Sequence, residues 1–457
     1  MPRADTGKTF LSETKFKDIA NQITSRIEQG IYTAGAKLPP HRELAHELCT
    51  TPATVSKAYK LLAELGRVES FVGRGTFVRD KSALSQVIQP QHQELDFNFS
   101  ILQPCLGLNL NALTQAYSRA AETLSPTLLA YADDSGHSAH RAAGAIWLQK
   151  HGLQSASSEN VMLTNGAQHA LSLLVETLTE PGDTIAVEAL TYPGILAIAN
   201  LAGREVVGVN LDDDGLCPKH LKKVIKQHSP KLVICIPSHQ NPTGITMSVS
   251  RRQAIADVIK ASSAYLVEDD IYAFLNNAPI PAISDLLPQQ SIYITSLSKA
   301  VSPAMRCGYV KAPDALLPVL AAHIRANIWL ASPINFAAAT DLIEQGTAFE
   351  LANAQLREAE HRQTLASDIL KDFYETASGF HIWLKLPEHW RVDRLVEEAK
   401  KRAILVSHGG YFSVGDTPNC VRLSLMSISS RDRFEEGLGQ FAELLASKPM
   451  PFSDFLN

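Results

Sequence analysis

Lys299 lies in a segment whose residue types suit the chemistry of a phosphorylated aldehyde. The segment reads Ser296-Leu-Ser298-Lys299-Ala-Val-Ser-Pro-Ala-Met-Arg306, so hydroxyl side chains flank the lysine and an arginine follows it by seven positions. A lysine amine with a lowered pKa can form an imine with an aldehyde. Serine hydroxyls and a guanidinium group can hydrogen-bond a phosphate dianion. The segment therefore indicates pyridoxal 5'-phosphate, although a lysine of this kind taken alone could belong to a surface loop.

Two upstream segments have the form of strands that end in turns able to present polar groups. Val161-Met-Leu-Thr-Asn-Gly166-Ala167 predicts a strand, a glycine turn and the start of a helix, where free backbone N–H groups can bind an anion. Residues 231–244 predict a buried strand and a proline-containing turn that presents the Asn241 amide. The first pattern is common in α/β proteins, and the second turn could be purely structural. These segments therefore become informative only in combination with the others.

A further segment places acidic residues at the end of a predicted strand. It reads Ala264-Tyr-Leu-Val-Glu-Asp269-Asp-Ile-Tyr272, and parallel sheets bind ligands at the carboxyl ends of their strands. A carboxylate there can pair with a protonated pyridine nitrogen, and a phenol three residues later can reach the 3'-oxygen of the ring. The Asp269 carboxylate could equally cap a helix. The sequence alone leaves both roles open.

Together these segments resemble the fold-type I family of pyridoxal-phosphate proteins, the aspartate aminotransferase group, across roughly residues 95–450. The resemblance implies that Lys299 forms the Schiff base with the cofactor and that Asp269 pairs with its pyridine nitrogen. The other cofactor contacts that it implies are Ser296, Ser298 and Arg306 around the phosphate, the backbone of Gly166 and Ala167 beside it, Asn241 and Tyr272 at the 3'-oxygen, Tyr192 on the ring, and Tyr131 at the phosphate of the neighbouring subunit.

Arg422 stands in the alternating pattern Cys420-Val-Arg422-Leu-Ser-Leu, which predicts a strand. By the same resemblance it matches the arginine that binds the α-carboxylate of an amino acid. An arginine in such a strand could equally pair with an acidic neighbour. Arg422 is therefore a candidate for binding the carboxylate of a substrate or effector.

The first eighty residues predict a separate module. Apolar residues recur at helical spacing from Phe16 to Ile27 and predict a helix over residues 15–29. A short second helix, a third helix that begins near Thr51, and two strands around a glycine turn that carries Arg74 follow it. Three helices and a basic hairpin predict a winged helix-turn-helix, in which the third helix enters the major groove of DNA.

Residues 12–80 resemble the DNA-binding domain of the GntR family. Two of its stretches, Leu-Pro-x-x-Arg-Glu-Leu-Ala and Gly-x-Gly-Thr-Phe-Val, stand here at residues 38–45 and 73–78. Pro52 replaces an arginine that is frequent in the family, which predicts one DNA contact fewer. The positions that the resemblance assigns to DNA contact are Arg42, Thr51, Thr54, Ser56, Lys57 and Arg74.

Charge is divided unevenly along the chain. Residues 1–81 contain 13 basic and 9 acidic residues and carry +4, so the remainder carries −9 of the total of −5. A basic module on an acidic body can take its affinity from DNA phosphates while the body stays off the DNA. Because +4 is modest, this distribution predicts a dimer that binds paired half-sites.

Length and composition predict a small domain and a large one. The domains are expected at residues 12–80 and 95–457, with a polar linker at residues 81–94 and a carboxy-terminal subdomain from about residue 335. Strands that alternate with helices in the large domain predict an α/β fold with a mostly parallel sheet. The six cysteines lack any Cys-x-x-C pair, and we found no signal peptide or apolar stretch long enough for a bilayer. We therefore expect a cytoplasmic protein without a metal site.

The two modules together resemble the MocR-type subfamily of bacterial transcription regulators over nearly the whole chain. The resemblance implies a homodimeric regulator that binds pyridoxal phosphate, an operator in double-stranded DNA, and a small amino compound or the cofactor itself as effector. The alternative is a working aminotransferase that carries a DNA-binding domain. Nothing that transamination requires is missing from the sequence, so the alternative stays open.

Overall fold

The computed structural model describes residues 8–28, 31–32, 36–64, 67–71, 75–78, 97–131, 135–374 and 377–448. The chain divides into two compact units, Met1–Ser85 and Gln86–Asn457, and each is described by itself. The predicted linker and Arg74 lie outside the described residues. No helix among those residues is long and apolar enough to cross a membrane.

The first unit is a winged helix-turn-helix, as predicted. Its elements are α1 (Lys8–Glu28), α2 (His41–Glu47), α3 (Pro52–Glu64), β1 (Val68–Phe71) and the antiparallel β2 (Gly75–Val78). The α1 helix begins seven residues before the predicted start, where the apolar spacing gives no signal. Side chains from all three helices form one core, among them Ile23, Leu44, Val55 and Leu62. This core fixes α3 with its polar face outward.

The second unit contains the remaining strands and helices. Its strands are β3 (Phe97–Asn98), β4 (Val161–Asn165), β5 (Thr184–Glu188), β6 (Glu205–Val209), β7 (Leu211–Asp212), β8 (Gly215–Leu216), β9 (Leu232–Cys235), β10 (Tyr265–Asp269), β11 (Ser291–Ser296), β12 (Cys307–Lys311), β13 (His381–Lys385), β14 (Ile404–Leu405), β15 (Ser407–His408) and β16 (Cys420–Ser424). Its α-helices are α4 (Leu106–Glu122), α5 (Pro126–Leu129), α6 (Ser138–Lys150), α7 (Gly166–Leu178), α8 (Pro193–Leu201), α9 (Pro218–His228), α10 (Val249–Lys260), α11 (Ile283–Leu286), α12 (Leu317–Asn327), α13 (Pro333–Glu344), α14 (Thr347–Ile369), α15 (Val392–Lys401) and α16 (Arg431–Ala446).

A seven-stranded sheet in the order β4-β12-β11-β10-β9-β5-β6 forms the centre of the large unit. The prediction of a mostly parallel sheet is confirmed, and β12 is the exception because it runs antiparallel to both neighbours. Only ten residues join Ser296 to Cys307, too few for the crossover that a parallel strand needs. That short connection contains both Lys299 and Arg306. Because β12 turns straight back beside β11, both residues stay close to the carboxyl end of β11.

A smaller subdomain with its own core contains the three-stranded sheet β13-β16-β15 and the helices α15 and α16. Part of it comes from the start of the large unit, since β3 pairs in parallel with β14. Backbone bonds from Phe97 to Ala403 and from Phe99 to Leu405 fix this pairing. Residues 97–100 are therefore part of the subdomain that carries Arg422.

Candidate functional site

A cavity of about 320 Å³ lies at the carboxyl ends of the parallel strands in the large unit. Residues from the start of the unit, 100–103, form part of its wall. The predicted site residues that line it are Ala167, Tyr192, Asn241, Asp269, Tyr272, Ser296, Ser298, Lys299, Arg306 and Arg422. The structure thus brings together residues that are up to 255 positions apart in sequence.

The Lys299 amine is buried in this cavity and donates a hydrogen bond to the carbonyl oxygen of Leu102. Burial, with a smaller effect from Arg422, lowers the pKa of Lys299 to about 8, against the opposing influence of Asp269. A lysine in water is almost fully protonated at that pH and has no lone pair with which to attack a carbonyl. Lys299 is therefore the kind of amine that can form an imine near neutral pH.

Asp269 ends β10 and is almost completely buried. Burial and the neighbouring Asp270 raise the pKa of Asp269 to about 7. Its Oδ1 has no hydrogen-bond partner among the described residues, and a buried acceptor without a partner is costly. Asp269 does not cap a helix, because the short 3₁₀ helix that follows begins at Ala273 and has Tyr272 at its N-cap. A donor such as a protonated pyridine nitrogen would satisfy this oxygen, so the site fits that cofactor.

A second feature that fits the cofactor is an anion site beside Lys299. Gly166 starts α7 with φ +79°, and the Nη2 atom of Arg306 donates to the Asn165 carbonyl at 2.9 Å. A Cβ atom on Gly166 would lie 2.7 Å from that Nη2 atom, so a larger residue would force the guanidinium group to move. Helix N–H groups, a guanidinium group and the nearby Ser296 and Ser298 hydroxyls form a donor set for phosphate.

Gly166→Ala is expected to weaken pyridoxal phosphate binding by at least tenfold. The new methyl group would displace Arg306, and a hydrogen bond to a charged group contributes about 1.5 to 3 kcal/mol. Gly182→Ala is a matched control, because Gly182 also has a positive φ, +89°, but nothing within 4 Å of the added Cβ. Absorbance titration with the cofactor measures both variants. Equal affinities of the two variants for the cofactor would show that the Gly166 turn does not bind the phosphate.

Arg422 lies on β16 and is 2 % exposed. Its Nη1 atom donates to Asn241 Oδ1 at 3.0 Å, and its Nη2 atom donates to the Ser100 carbonyl at 2.6 Å and to Ser407 Oγ at 3.1 Å. Burial lowers the pKa of Arg422 to about 10. Among the described residues no carboxylate pairs with it, and its Nε atom has no hydrogen-bond partner. A buried cation bound only by neutral groups favours an incoming anion.

Tyr192, Tyr272 and Asn241 complete the wall around Lys299. Burial raises the pKa of Tyr192 to about 12 and that of Tyr272 above its ordinary value, so both phenols keep their protons. A Cβ atom on Gly194 would lie 2.2 Å from the Tyr192 ring, which shows how closely the α8 backbone packs beneath it. Two neutral phenols and an amide therefore supply hydrogen-bond donors to the cavity.

Tyr131 does not line this cavity. Its side chain is 78 % exposed, and its ring packs against Trp329 with centroids 4.9 Å apart. It lies instead in an open groove with His137 and Arg141. The predicted contact with the cofactor of a neighbouring subunit stays a prediction.

Sequence reasoning missed the contribution of residues 100–103. Their carbonyl groups contact Lys299 and Arg422, and Gln103 also lines the cavity. Backbone carbonyls carry no residue type that a pattern can recognise. Sequence reasoning also missed Arg252, which is buried and lies 3.8 Å from Glu268 and 3.7 Å from Asp270.

In the first unit, the five described residues that are predicted to contact DNA form two groups, exposed side chains and side chains that bond to each other. Arg42, Ser56 and Lys57 are exposed, the first on α2 and the others on α3. Thr51 Oγ1 accepts a hydrogen bond from the Thr54 backbone N–H at 3.2 Å and lies 2.8 Å from Thr54 Oγ1. Thr51 therefore caps the start of α3, and the Thr54 hydroxyl contacts the capping oxygen.

The fold and the site together define an aminotransferase-like body, with a cavity that fits pyridoxal phosphate, in a chain that also contains a winged helix-turn-helix. The family described as "Aminotransferase class I and II" matches residues 97–438, and the family described as "Bacterial regulatory proteins, gntR family" matches residues 15–78. The chain belongs to the class I and II aminotransferase family and combines it with a GntR domain in the MocR-type architecture.

Similar proteins include regulators of the same organisation. The HTH-type transcriptional regulator YdeF of Bacillus subtilis is 30 % identical over 94 % of each chain. The HTH-type pyridoxine biosynthesis transcriptional regulator PdxR of Corynebacterium glutamicum is 29 % identical over 78 % of this chain and 79 % of its own. These relatives favour a regulator over a metabolic aminotransferase.

Solved structures resemble the large unit. LysN, an α-aminoadipate aminotransferase from Thermus thermophilus in complex with N-(5'-phosphopyridoxyl)-L-leucine, matches with a TM-score of 0.71 and 23 % identity. The match covers 80 % of this chain and 96 % of LysN. At this identity the similarity establishes the fold.

Proposed function

We propose that this protein is a transcription regulator that binds pyridoxal phosphate through Lys299 and responds to an amino compound at the same site. The observation that carries the proposal is the presence, in one chain, of a winged helix with a basic outer face and a cavity that contains Lys299, Asp269 and Arg422. The regulators among its relatives support the same reading.

The four charged residues that line the cavity have separate tasks in this proposal. The bound cofactor would supply an aldehyde carbon that can exchange one amine for another. Lys299 would bind that carbon, Asp269 would hold the proton of the ring nitrogen, and Arg306 with the start of α7 would bind the phosphate. Arg422 is the cation that remains to bind the carboxylate of an effector.

We further propose that the protein binds its operator as a homodimer. One winged helix offers few phosphate contacts, and a symmetric dimer doubles them on paired half-sites. Tyr131, exposed beside Trp329, is the residue that we propose reaches the neighbouring subunit.

A selection of bound sequences from random DNA tests the proposal, with and without pyridoxal phosphate. We expect enrichment of a site with two half-sites and an affinity for it that changes when the cofactor is added. Selection of no specific site would contradict the regulator. An operator affinity that changes neither with the cofactor nor with amino acids added to the loaded protein would contradict its role as a sensor.

The second candidate function is transamination, which is favoured because Lys299, Asp269 and Arg422 line one cavity. Incubation of the loaded protein with pairs of amino acids and keto acids distinguishes the two functions. A regulator is expected to exchange amines in single events without sustained turnover. Continuous formation of product would establish the aminotransferase.

Arg42→Ala is expected to weaken operator binding and to reduce its salt dependence. Each lost phosphate contact flattens the slope of log K against log salt by about one unit, so a dimer should lose about two. Lys226→Ala is the control, because Lys226 is an exposed cation on α9 of the large unit. The measurement is operator affinity over a range of salt concentrations. An unchanged slope of log K against log salt would show that Arg42 makes no contact with a DNA phosphate.

A further inference from the structure

Three consecutive acidic residues lie at the end of β10: Glu268 and Asp269 are its last two residues, Asp270 follows them, and none is more than 2 % exposed. Successive side chains of a strand point to opposite faces, so Glu268 and Asp270 lie on the face away from Asp269. Burying three carboxyl groups side by side is unfavourable unless their charge is compensated. The cations and hydrogen-bond donors around Glu268 and Asp270 therefore help to set the electrostatic potential at Asp269.

Arg252 of α10 provides the compensation on the far face. It is 1 % exposed, and its Nη1 atom lies 3.8 Å from Glu268 Oε1 and 3.7 Å from Asp270 Oδ2. The guanidinium group is also held by Ser238 Oγ at 2.9 Å. One cation thus serves two acids, and the face keeps a net negative charge when both are ionised.

The two acids that share Arg252 differ in their other contacts. Glu268 accepts hydrogen bonds from the Ile283 and Ser284 backbone N–H groups and from Ser284 Oγ, at 3.0, 2.8 and 2.7 Å. Asp270 accepts one from Tyr293 Oη at 3.2 Å and a second from the Ser238 side chain, and its Oδ1 has no partner among the described residues. Asp270 is thus the less neutralised charge, and it is the one that raises the pKa of Asp269.

We propose that Asp270, whose negative charge Arg252 stabilises, is a positioning residue that strengthens the hold of Asp269 on the ring-nitrogen proton of the cofactor. The inference rests on the proposed binding of pyridoxal phosphate at Lys299. Asp270 acts through Asp269 rather than by contact, since Asp269 lines the cavity and Asp270 does not. Its negative potential favours every protonated nitrogen of the bound cofactor.

Other charged and titratable groups surround Asp269 and Asp270 and also contribute to the electrostatic potential there. Those that act on Asp270 are Arg252, Glu268, Tyr293 and Cys235. Those that act on Asp269 from the cavity side are Lys299, Tyr192, Tyr272 and Glu188. Arg252 and Lys299 are the cations among them, one on each face of the strand. Removing the negative charge of Asp270 should therefore make the electrostatic potential at Asp269 more positive.

The test is Asp270→Asn, which keeps the size of the side chain and an oxygen that can accept from Tyr293. We expect the midpoint of the pH titration of the absorbance of the bound cofactor to fall by roughly one unit. The affinity for pyridoxal phosphate should fall by roughly tenfold, the equivalent of one unit. Asp270→Glu, which retains the charge, should restore both values toward those of the wild type.

Glu188→Gln is the matched control. Glu188 ends the strand β5 in the same sheet and is fully buried, and burial raises its pKa to about 8. Because it is largely uncharged below that pH, its replacement removes little charge. We expect its titration below pH 8 to match that of the wild type. Tyr293→Phe removes the hydroxyl donor that partly neutralises Asp270, so it should shift the midpoint in the opposite direction by a smaller amount.

The outcomes separate the inference from the function on which it rests. A wild-type protein that fails to bind pyridoxal phosphate overturns the proposed function. A wild type that binds it, with an Asp270→Asn variant that titrates as the wild type does, overturns the role of Asp270 alone. If Asp270→Asn does not fold, an unshifted midpoint in Tyr293→Phe overturns it instead. An equal shift in Glu188→Gln would show that any buried substitution here moves the midpoint.

Discussion

Lys299→Ala is expected to abolish the covalent attachment of pyridoxal phosphate. In the wild type, reduction with borohydride followed by peptide mass spectrometry should find the cofactor on Lys299. Because burial lowers the pKa of this lysine to about 8, attachment should become faster as the pH rises to about 8 and then level off. An exposed lysine would give a rate that still increases toward pH 10.

Lys311→Met serves as the control for this experiment. Lys311 lies on β12, is 3 % exposed, and has a pKa that burial lowers, but it does not line the cavity. Its replacement should leave the trapped adduct unchanged. An adduct on another lysine in the Lys299→Ala protein, at the wild-type yield, would show that the assignment is wrong.

Arg422→Ala is expected to remove the response of operator affinity to an amino acid ligand. A ligand can shift operator affinity only if it binds two conformations unequally, and such coupling is usually about 1 to 3 kcal/mol. In the wild type, an effective amino acid should therefore change operator affinity by roughly 5-fold to 150-fold. The variant should show little change, because the cation that binds the carboxylate is gone.

The amine that corresponds to the amino acid without its carboxylate gives the sharpest comparison for Arg422. The wild type should respond to the amino acid and only weakly to the amine, whereas Arg422→Ala should treat the two ligands alike. Absorbance of the bound cofactor checks that both proteins are loaded. An amino acid response that is equal in variant and wild type would exclude Arg422 from the mechanism.

Much of the fold could be predicted because its signals are local. Apolar runs between turn residues gave the parallel strands, and helical spacing gave the winged helix. The antiparallel direction of β12 was missed, although the ten residues between Ser296 and Cys307 carry that information in their number. The start of α1 was missed because residues before Phe16 lack apolar periodicity.

The candidate site was predictable only where side-chain chemistry is distinctive. Lys299, Asp269 and Arg422 converge on one cavity, and the structure removes two alternatives, since Asp269 caps no helix and Arg422 pairs with no described carboxylate. Thr51 and Thr54 illustrate the opposite case, because the same hydroxyl groups suit a helix cap and a DNA contact. Local sequence cannot separate roles that use one functional group.

The hydrogen bond from Arg422 to the Ser100 carbonyl would compete with the carboxylate of the effector proposed above. A carboxylate that binds the Nη2 atom must share or replace this bond, and an intramolecular hydrogen bond contributes about 1 kcal/mol, or roughly fivefold in affinity. The competing carbonyl thus raises the effector concentration at which half of the sites are filled. Because residues 97–100 begin three positions after the end of the predicted linker, the threshold of the proposed sensor would depend on a stretch of chain that is close in sequence to the DNA-binding unit.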